Sequence, residues 1–407
     1  MQKAGIRIIL MSELYQLPDG WAWKKLGCIT TTTSGGTPSR SNLSYWGGKI
    51  KWLKSGELND DYIDEVEECI TELGLQNSSA KLFRKNTLLI AMYGATVGRL
   101  GLLNVETTTN QAICAILNDK GFFENRYIFF YLLSIRKKML KDSFGGAQPN
   151  LSQAYIKNLD IPLPPLAEQK RIVQKLDALF ERIDKAIALL QKNINAADSF
   201  MNSVLNDVFS DLKQNYPMAS LFKIADVNRG KSKHRPRNDK RLFGGDYPFI
   251  QTGDVRSASK YITNYGETYS EFGLSQSKLW QKGTICMTIA ANIGDVAILG
   301  LDSCFPDSVV GIFSESESNE YLYYYLLTLK KQLETKATTT AQMNINIKVL
   351  QDIELPLPSI DIQKQTVEYL DCISNKIEQL KSAQQQKMQN LLDLKSSILD
   401  QAFHGKL

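Results

Sequence analysis

A basic segment in the second half of the chain is the strongest chemical signal in the sequence. Residues 229–241 read Arg-Gly-Lys-Ser-Lys-His-Arg-Pro-Arg-Asn-Asp-Lys-Arg, with seven basic residues and one acid, Asp239. Lysine and arginine at this density in a loop with Gly and Pro can contact the phosphates of a nucleic-acid duplex. We therefore predict DNA contacts from Arg229, Lys231, Lys233, Arg235, Arg237, Lys240 and Arg241. A solvated basic loop without a ligand is the alternative.

Milder versions of the same chemistry occur in three further loops. The first half of the chain has Ser-Gly-Gly-Thr-Pro-Ser-Arg at 34–40, followed by lysines at 49, 51 and 54. The stretches 93–99 and 290–295 combine small residues with hydrogen-bond donors and a charge, which suits entry into a DNA groove. From these loops we predict DNA contacts by Gly36, Thr37, Ser39, Arg40, Lys51, Lys54, Tyr93, Thr96, Arg99 and Asn292. A simple turn between two strands is the alternative for the last two loops.

The search for catalytic groups is negative. Gly230-Lys231-Ser232 resembles the end of a phosphate-binding loop, but Ala225 stands where its first glycine should be. Asp307, Glu334 and Lys336 match the loose pattern of a metal-dependent nuclease, although Glu334 and Lys336 fall in a helical stretch. The two histidines, His234 and His404, have no metal-ligating neighbours in the sequence. We predict no catalytic residue and no metal site in this chain.

Two long helices must position these loops. The motif Leu163-Pro164-Pro165-Leu166-Ala167-Glu168-Gln169-Lys170 is repeated 194 residues later as Leu357-Pro358-Ser359-Ile360-Asp361-Ile362-Gln363-Lys364. Each copy precedes roughly 40 residues with a helix-period apolar stripe. We expect the two helices to pack as an antiparallel coiled coil and to dock partner proteins. The residues predicted for these contacts are Ile172, Leu176, Leu179, Ile183, Leu190, Leu370, Ile373, Ile377, Leu380 and Leu391.

The repeat includes a globular module before each helix. Residues 51–58 match 248–255, residues 87–92 match 284–289, and residues 127–133 match 321–327. Short β-rich runs bounded by turn residues predict strands near 26–33, 50–54, 87–92, 97–103 and 111–117, then one amphipathic helix at 124–142. The second module repeats this order, with strands near 221–227, 248–252, 284–289, 293–299 and 308–313 and a helix at 318–336. The aromatic runs at 127–131 and 321–325 are predicted to be core.

Composition is that of an ordinary globular protein. The chain has 407 residues, 43% of them hydrophobic, and a net charge of +5, which permits a nucleic-acid partner without requiring one. Six scattered cysteines indicate reduced thiols in a cytoplasmic protein. The apolar run near the N-terminus is too short for a signal peptide or membrane span. Met11 is a plausible natural start, so residues 1–10 are interpreted as an upstream extension, and the N-terminal segment before the first domain is placed at 1–11.

Taken together, the motifs resemble the specificity (S) subunits of type I restriction-modification systems from Leu17 onward. The resemblance is carried by Leu17-Pro18-Asp19-Gly20-Trp21, Gly35-Gly36-Thr37-Pro38-Ser39, Tyr45-Trp46-Gly47-Gly48, Gln148-Pro149-Asn150-Leu151, Ile161-Pro162 leading into the repeated motif, and the terminal Ala402-Phe403-His404-Gly405-Lys406-Leu407. The second module lacks Gly-Gly-Thr-Pro-Ser and has Asp361-Ile362-Gln363 in place of Ala-Glu-Gln. It is therefore expected to read a different half-site.

The resemblance implies a mixed α/β fold with two tandem-repeat target recognition domains related by a pseudo-two-fold axis. They are expected at 12–160 and 213–354, with a Pro-rich lead-in and long helix at 161–212 and another at 355–407. Each domain would read half of a bipartite site on double-stranded DNA, and the helices would set the half-site spacing. The helices would also bind two methyltransferase (M) subunits and, indirectly, restriction (R) subunits. S-adenosylmethionine, ATP and Mg²⁺ would belong to those partners, with no cofactor here.

Two other functions stay open at the level of sequence. A structural adaptor would use the coiled coil and the modules to bind proteins, and it would show no salt-dependent DNA binding. A self-sufficient nuclease would use Asp307 and Glu334, and it would cut DNA alone in the presence of magnesium.

Overall fold

A computed structural model describes residues 14–143, 150–290, 292–338 and 345–407. The N-terminal extension predicted at 1–11 and residues 148, 149, 342 and 344 of the matched motifs lie outside these ranges. The described chain forms two compact units: residues up to Leu189 together with Lys387–Leu407, and residues Leu190–Gln386. The division into five segments proposed from sequence stays a prediction.

The first unit contains eleven strands among the described residues and the first six helices. The strands are β1 Ala22–Lys25, β2 Thr31–Ser34, β3 Trp46–Leu53, β4 Asp61–Ile63, β5 Glu68–Ile70, β6 Leu82–Phe83, β7 Leu88–Ala91, β8 Leu100–Leu103, β9 Thr107–Thr109, β10 Ile113–Leu117 and β11 Asp160–Leu163. The helices are α1 Leu26–Ile29, α2 Glu72–Gln76, α3 Asn125–Ser134, α4 Arg136–Ser143, α5 Gln153–Lys157 and the start of α6 Leu166–Asn215.

The second unit repeats this order of elements. Its strands are β12 Met218–Ser220, β13 Asp226–Arg229, β14 Phe243–Phe249, β15 Tyr261–Ile262, β16 Glu267–Tyr269, β17 Ile285–Thr288, β18 Val296–Leu299, β19 Val309–Phe313 and β20 Glu354–Pro356. Its helices are α7 Leu221–Ile224, α8 Thr252–Ser257, α9 Glu271–Ser275, α10 Asn319–Thr328, α11 Lys330–Thr338, α12 Ile347–Gln351 and the start of α13 Ile360–Phe403.

A five-stranded mixed sheet is the centre of each unit. The order is β2-β10-β7-β8-β4 in the first unit and β13-β19-β17-β18-β15 in the second, and only the edge pairs β4–β8 and β15–β18 are parallel. A four-stranded sheet, β5-β3-β9-β6, accompanies the first. In the second unit the matching contacts are the β14–β16 pair and isolated bridges, Phe249 to Cys304 and Trp280 to Ser303. The mixed α/β fold expected from the sequence is thereby confirmed.

The two faces of the central sheet carry two separate cores. In β7, Leu88 and Ile90 pack with α3 and the long helices, whereas Leu89 and Ala91 pack with Leu53 and neighbouring residues on the other side. This division follows from the two-residue period of a strand, which sends successive side chains to opposite faces. Because both faces are covered, the strand has no polar side and reads as a continuous apolar run.

Portions of the long helices pack antiparallel within each unit. In the first unit Lys395 Nζ lies 2.8 Å from Asp184 Oδ1, and Arg171 donates to the Leu407 carbonyl at 2.8 Å. In the second unit Lys381 Nζ lies 2.9 Å from Asp198 Oδ1. Low residue numbers of α6 thus meet high numbers of α13, as predicted for an antiparallel coiled coil.

The ten residues predicted for helix packing and partner docking differ in burial. Four of the ten residues are buried (Ile172, Leu176, Ile183 and Leu370) and five are half-buried (Leu179, Leu190, Ile373, Ile377 and Leu391). Leu380 is 45% exposed and lies off the helix–helix contact, so its predicted role in partner docking stays a prediction. After Ile377 the spacing of four and three residues brings Lys381 and Gln384 to that contact instead. Because these two positions are polar, the apolar stripe of α13 could not be followed through them in the sequence.

Three secondary-structure predictions also need correction. Residues 26–29 and 221–224 are short helices rather than strand, because Leu26 and Ile29 are three residues apart and share one buried face. The single helix predicted at 124–142 is two helices that break at Ile135, and the counterpart at 318–336 breaks at Leu329. α3 is not amphipathic, since Tyr127 to Leu132 are all buried, as predicted for the aromatic runs.

A buried glutamine joins each long helix to its globule. Gln169 is fully buried; its Oε1 accepts from the Glu124 N–H at 2.9 Å, and its Nε2 donates to the Pro164 carbonyl at 2.9 Å. Gln363 repeats this arrangement with the Ser318 N–H at 3.0 Å and the Pro358 carbonyl at 3.0 Å. Glu124 and Ser318 occupy the N-cap positions of α3 and α10, and the Ser318 side chain accepts from the Tyr321 N–H. The repeated Pro-rich motif therefore fixes the start of each long helix against the module before it.

Candidate nucleic-acid interface

Four loops meet at one end of the sheets in the first unit. They are joined by backbone hydrogen bonds from Gly36 N to Thr109 O (2.9 Å), Asn110 N to Leu53 O (3.0 Å) and Met92 N to Ala112 O (2.7 Å). The strand order and register require this convergence, because β2, β3 and β7 end where β10 begins. We call these segments, residues 35–42, 54–60, 92–99 and 109–112, the first loop cluster.

Two of the predicted basic residues in this cluster are held by acids. The Arg40 guanidinium lies over the Trp46 ring at 3.7 Å, and its Nη1 is 2.5 Å from Glu68. Lys54 is paired with Glu67 at 2.8 Å and with Glu68 at 3.1 Å. Arg40 and Lys54 together hold the pKa of the Glu68 carboxyl below its usual range. These cations therefore bring less uncompensated charge to a ligand than the sequence suggested.

The remaining predicted residues of the first unit differ in accessibility. Gly36 is buried and its carbonyl accepts a hydrogen bond from Trp52 Nε1 at 2.9 Å, so it shapes the loop. Ser39 and Arg99 are exposed, while Thr37, Lys51, Tyr93 and Thr96 are half-buried. Thr37 Oγ1 donates to Gln111 Oε1, which ties the loop after β2 to the residue before β10.

A cation at the start of α4 holds the loop between β7 and β8. Arg136, the first residue of α4, donates through Nε to the Gly98 carbonyl at 2.9 Å and pairs with Asp60 through Nη1 at 2.8 Å. Its repeat equivalent Lys330, the first residue of α11, pairs with Asp295 at 2.6 Å. Sequence reasoning missed both residues. The signal was available, because 136 and 330 differ by the same 194 residues as the repeated motif and both are basic.

The second unit has the corresponding loop cluster at the equivalent sheet end. The second loop cluster comprises residues 230–242, α8, 289–295 apart from residue 291, and 304–308, with Ile345 beside them. Cross-links within it include Arg237 to Asp307, Arg256 Nη1 to Asn292 Oδ1 at 2.9 Å, and Arg229 Nη2 to the Ile345 carbonyl at 3.3 Å. Arg256 was not predicted. It precedes Asn292 by 36 residues, and only the fold brings the two side chains together.

Six of the seven basic residues at 229–241 fall into two groups, and the seventh, Arg229, donates to the Ile345 carbonyl. Arg241 pairs with Asp239 at 2.7 Å, Arg235 donates to the carbonyls of Ser232 and His234, and Arg237 pairs with Asp307. Arg241 and His234 both hold the pKa of Asp239 far below its usual range. Lys231, Lys233 and Lys240 are exposed and form no ion pair with any residue that the structure describes. Those three lysines are the cations best placed for an anionic ligand.

The second cluster also contains concave surface. A cavity of about 690 Å³ is lined by residues that include Arg237, Lys240, Phe243, Phe249 and Tyr269. The rings of Phe249 and Tyr269 stack at 4.0 Å in its floor. A smaller cavity of about 210 Å³ is lined by Arg229, Arg237 and Asp307, among others. Arg237 therefore lies on the border between two depressions of the surface.

The residues of the nuclease hypothesis lie in different places. Asp307 borders the small cavity with Arg237, whereas Glu334 lines a separate groove of about 410 Å³ with Lys331 and Glu378. Across the described residues, no group of three or more His, Cys, Asp or Glu side chains could hold a metal ion. Nor is any helix in those ranges long and apolar enough to cross a bilayer.

Comparison with known proteins agrees with this geometry. The family model for the type I restriction modification DNA specificity domain matches residues 18–196 and again residues 218–389. The MjaIX specificity subunit of Methanocaldococcus jannaschii is 30% identical over 188 residues, which cover 44% of this chain and 43% of the relative. The EcoR124I/EcoR124II specificity subunit of Escherichia coli is 28% identical over 183 residues, with 42% and 45% covered. The chain thus spans less than half the length of these two relatives.

Other matches extend over the full length. The putative MjaX specificity subunit of M. jannaschii is 25% identical and covers 97% of this chain and 96% of the relative. One solved chain, from work on complex assembly and conformational transition of the type I R-M system, has a TM-score of 0.75 at 24% identity, covering 97% of this chain and 100% of its own. The HsdS subunit of Thermoanaerobacter tengcongensis has a TM-score of 0.52 at 24% identity, and the match covers 97% of this chain and 99% of that one.

Two modules of one topology, each with a loop cluster at one sheet end, therefore coincide with the two matched ranges, and the chain belongs to the type I restriction modification DNA specificity domain family.

Proposed function

We propose that this chain is the non-catalytic DNA-recognition subunit of a type I restriction-modification complex, with each unit reading one half of a bipartite target. The observation that carries the proposal is the pair of loop clusters, one in each copy of a domain whose family is defined by DNA specificity. Each cluster combines exposed cations with amide and hydroxyl groups on loops held by a sheet. This combination suits phosphate contacts that fix register and base-edge contacts that select sequence.

The electrostatics support double-stranded DNA as the ligand. Lys231, Lys233 and Lys240 would neutralise backbone phosphates, and each such contact makes binding weaken as salt concentration rises. Arg99, Asn292 and Gln111 have the donor and acceptor groups that base edges in the major groove require. The adaptor alternative predicts no salt-dependent, sequence-selective DNA binding, and the basic loop at 229–241 argues against it.

The long helices have the properties of a docking surface. Several large apolar side chains on α6 and α13 are exposed: Leu189, Phe200, Tyr369, Leu380, Leu392 and Leu394. Contiguous exposed apolar patches mark protein-binding surfaces, and these side chains supply apolar area from which such a patch could form. We infer that the helices bind two M subunits and, through them, R subunits, and that their length sets the half-site spacing. S-adenosylmethionine, ATP and Mg²⁺ would be bound by those subunits, in the cytoplasm where the DNA is.

A genome-wide map of N6-methyladenine with and without this gene tests the proposal. We expect methylation at one bipartite motif to disappear on deletion and to return when the gene is restored, because the partner methyltransferase loses its only guide to that motif. Restoration with an unrelated specificity subunit is the control and should produce a different motif. An unchanged map in a strain that expresses the M subunit would contradict the proposal.

A further inference from the structure

Arg237 and Asp307 form a directed pair at the border of two cavities in the second loop cluster. Nη2 of Arg237 lies 2.9 Å from each carboxylate oxygen of Asp307. The two side chains remain 54% and 41% exposed, so both can reach a ligand while bound to each other. Within the part of the chain that the structure describes, Nε and Nη1 of Arg237 donate to no protein atom.

The first unit has a different pair at the equivalent place. Gly35 N donates to Ile113 O as Gly230 N donates to Val309 O, which aligns the two loops that follow β2 and β13. The residue two positions before β10 is Gln111, and the residue two positions before β19 is Asp307. Thr37 contacts Gln111 where Arg237 contacts Asp307. In each unit the loop after the aligned glycine contacts the residue two positions before the central strand, through Thr37 two residues on or Arg237 seven residues on. The contact is neutral in the first unit and ionic in the second.

These pairs match different base pairs in the DNA major groove. A G·C pair presents the guanine N7 and O6 acceptors beside the cytosine N4 donor, whereas adenine presents an N7 acceptor beside an N6 donor. Arg237 offers donors beside the acceptor Asp307, which is the complement of G·C. The Gln111 carboxamide offers one donor beside one acceptor, which is the complement of adenine.

Charge separates this role from a phosphate contact. The Asp307 carboxylate cancels the charge of Arg237 and would repel a phosphate, yet it fixes the direction in which the guanidinium points. Lys231, Lys233 and Lys240, which have no such acid among the described residues, are the better phosphate ligands. An arginine that is neutralised and oriented contributes little to affinity and much to selectivity.

We propose that Arg237 and Asp307 read one G·C base pair in the half-site of the second unit, and that Gln111, oriented by Thr37, reads one A·T base pair in the other half-site. The inference rests on the proposed function and deepens it, because it names the base pair that each unit selects at this position.

The test uses this chain assembled with its M subunits, and the substrate is a plasmid library in which every position of the bipartite motif is varied. N6-methyladenine mapping gives the sequence preference at each position. For Arg237→Ala we expect about a 5- to 150-fold loss of discrimination at one G·C position of one half-site, and no change in the other. Arg237→Lys keeps the charge but not the fork, and it should relax the same position.

Matched variants separate the possible roles. Gln111→Ala should relax one A·T position in the opposite half-site, and Lys240→Ala should lower methylation of all library members alike. The inference is overturned if Arg237→Ala lowers all members alike, if it relaxes an A·T position, or if it alters both half-sites. Melting temperatures identify any variant that fails to fold, and Arg237→Lys then decides. A wild-type complex without any bipartite motif would instead refute the proposed function.

Discussion

Burial separates five of the six unpaired cysteines into accessible and protected thiols, and Cys69 is intermediate between them. Cys28 and Cys372 are exposed, whereas Cys114, Cys286 and Cys304 are buried. Burial raises the pKa of Cys114 to about 12, and it raises the pKa of Cys286 and Cys304 as well, so these thiols stay protonated at neutral pH. The thiolate is the reactive form of cysteine, and burial suppresses it. Because burial cannot be read from the positions of the cysteines, the sequence alone could not distinguish these groups.

We predict that a maleimide at pH 8 labels Cys28 and Cys372 within minutes, and that the three buried thiols react only after unfolding. Intact-mass measurement counts the labels, and the double variant Cys28→Ser/Cys372→Ser should abolish the fast phase. Stability should decrease as pH rises above the ordinary thiol pKa of 9.0, because only the unfolded chain then releases these protons. Rapid labelling of Cys286 in the folded protein would contradict the predicted protection.

Individual contact residues were the hardest part of the site to predict. The sequence identified the basic segment at 229–241, but the acids that bind Arg40 and Arg237 lie 28 and 70 residues away along the chain. Arg136 and Arg256 act through partners that only the sheet register brings near. Charge density can be read from a sequence, whereas charge compensation depends on tertiary contacts. The predicted DNA contacts therefore stay predictions until a complex is probed.

Elements were predicted better than residues, because periodicity is a local property. The two long helices and most central strands fall where the apolar patterns placed them. The misplacements have local causes: Leu26 and Ile29 form one turn of helix inside a β-rich run, and Ile135 ends α3 where the composition turns polar. Leu380 is exposed because its neighbour Lys381, paired with Asp198, occupies the position that faces α6.

The buried glutamine at the start of α6 provides a test at the scale of elements. Gln169→Met keeps the size of the side chain but leaves the Glu124 N–H and the Pro164 carbonyl without a partner. We expect a loss of roughly 1–3 kcal/mol in the free energy of unfolding, since unsatisfied buried groups cost that much. Urea denaturation measures it. Gln174→Met, at an exposed position of the same helix, is the control, and equal effects of both changes would refute the role.

Internal duplication is visible at the scale of the whole molecule, and it yields a paired prediction. Phe403 belongs to the core of the first unit, with its ring 5.3 Å from Tyr127 and 5.1 Å from Tyr131. Its repeat equivalent Phe209 belongs to the core of the second, 5.4 Å from Tyr321 and 5.2 Å from Tyr325. Each alanine substitution should cost about 3–5 kcal/mol, but in a different unit.

Hydrogen exchange followed by mass spectrometry distinguishes the two variants. Phe403→Ala should lower amide protection within residues 14–189 and leave residues 190–386 unchanged, while Phe209→Ala should do the reverse. Loss of protection across the whole chain in either variant would show that the units do not respond separately. Neither outcome could be foreseen from composition, because assigning the C-terminal helix end to the first unit requires the antiparallel pairing.

The first unit is built from two separate segments of the chain, and this affects how it folds during translation. The second unit is complete once Gln386 has been made, but the first must wait for Leu399, Ala402 and Phe403. At about 5–20 residues per second, the first globule emerges roughly 10 to 40 s before its last core residues. During that interval Tyr127 and Tyr131 lack the Phe403 ring that packs against them in the folded protein. We therefore expect the domain translated first to be the last to complete its core, and a chain truncated before Leu399 to lack part of that core.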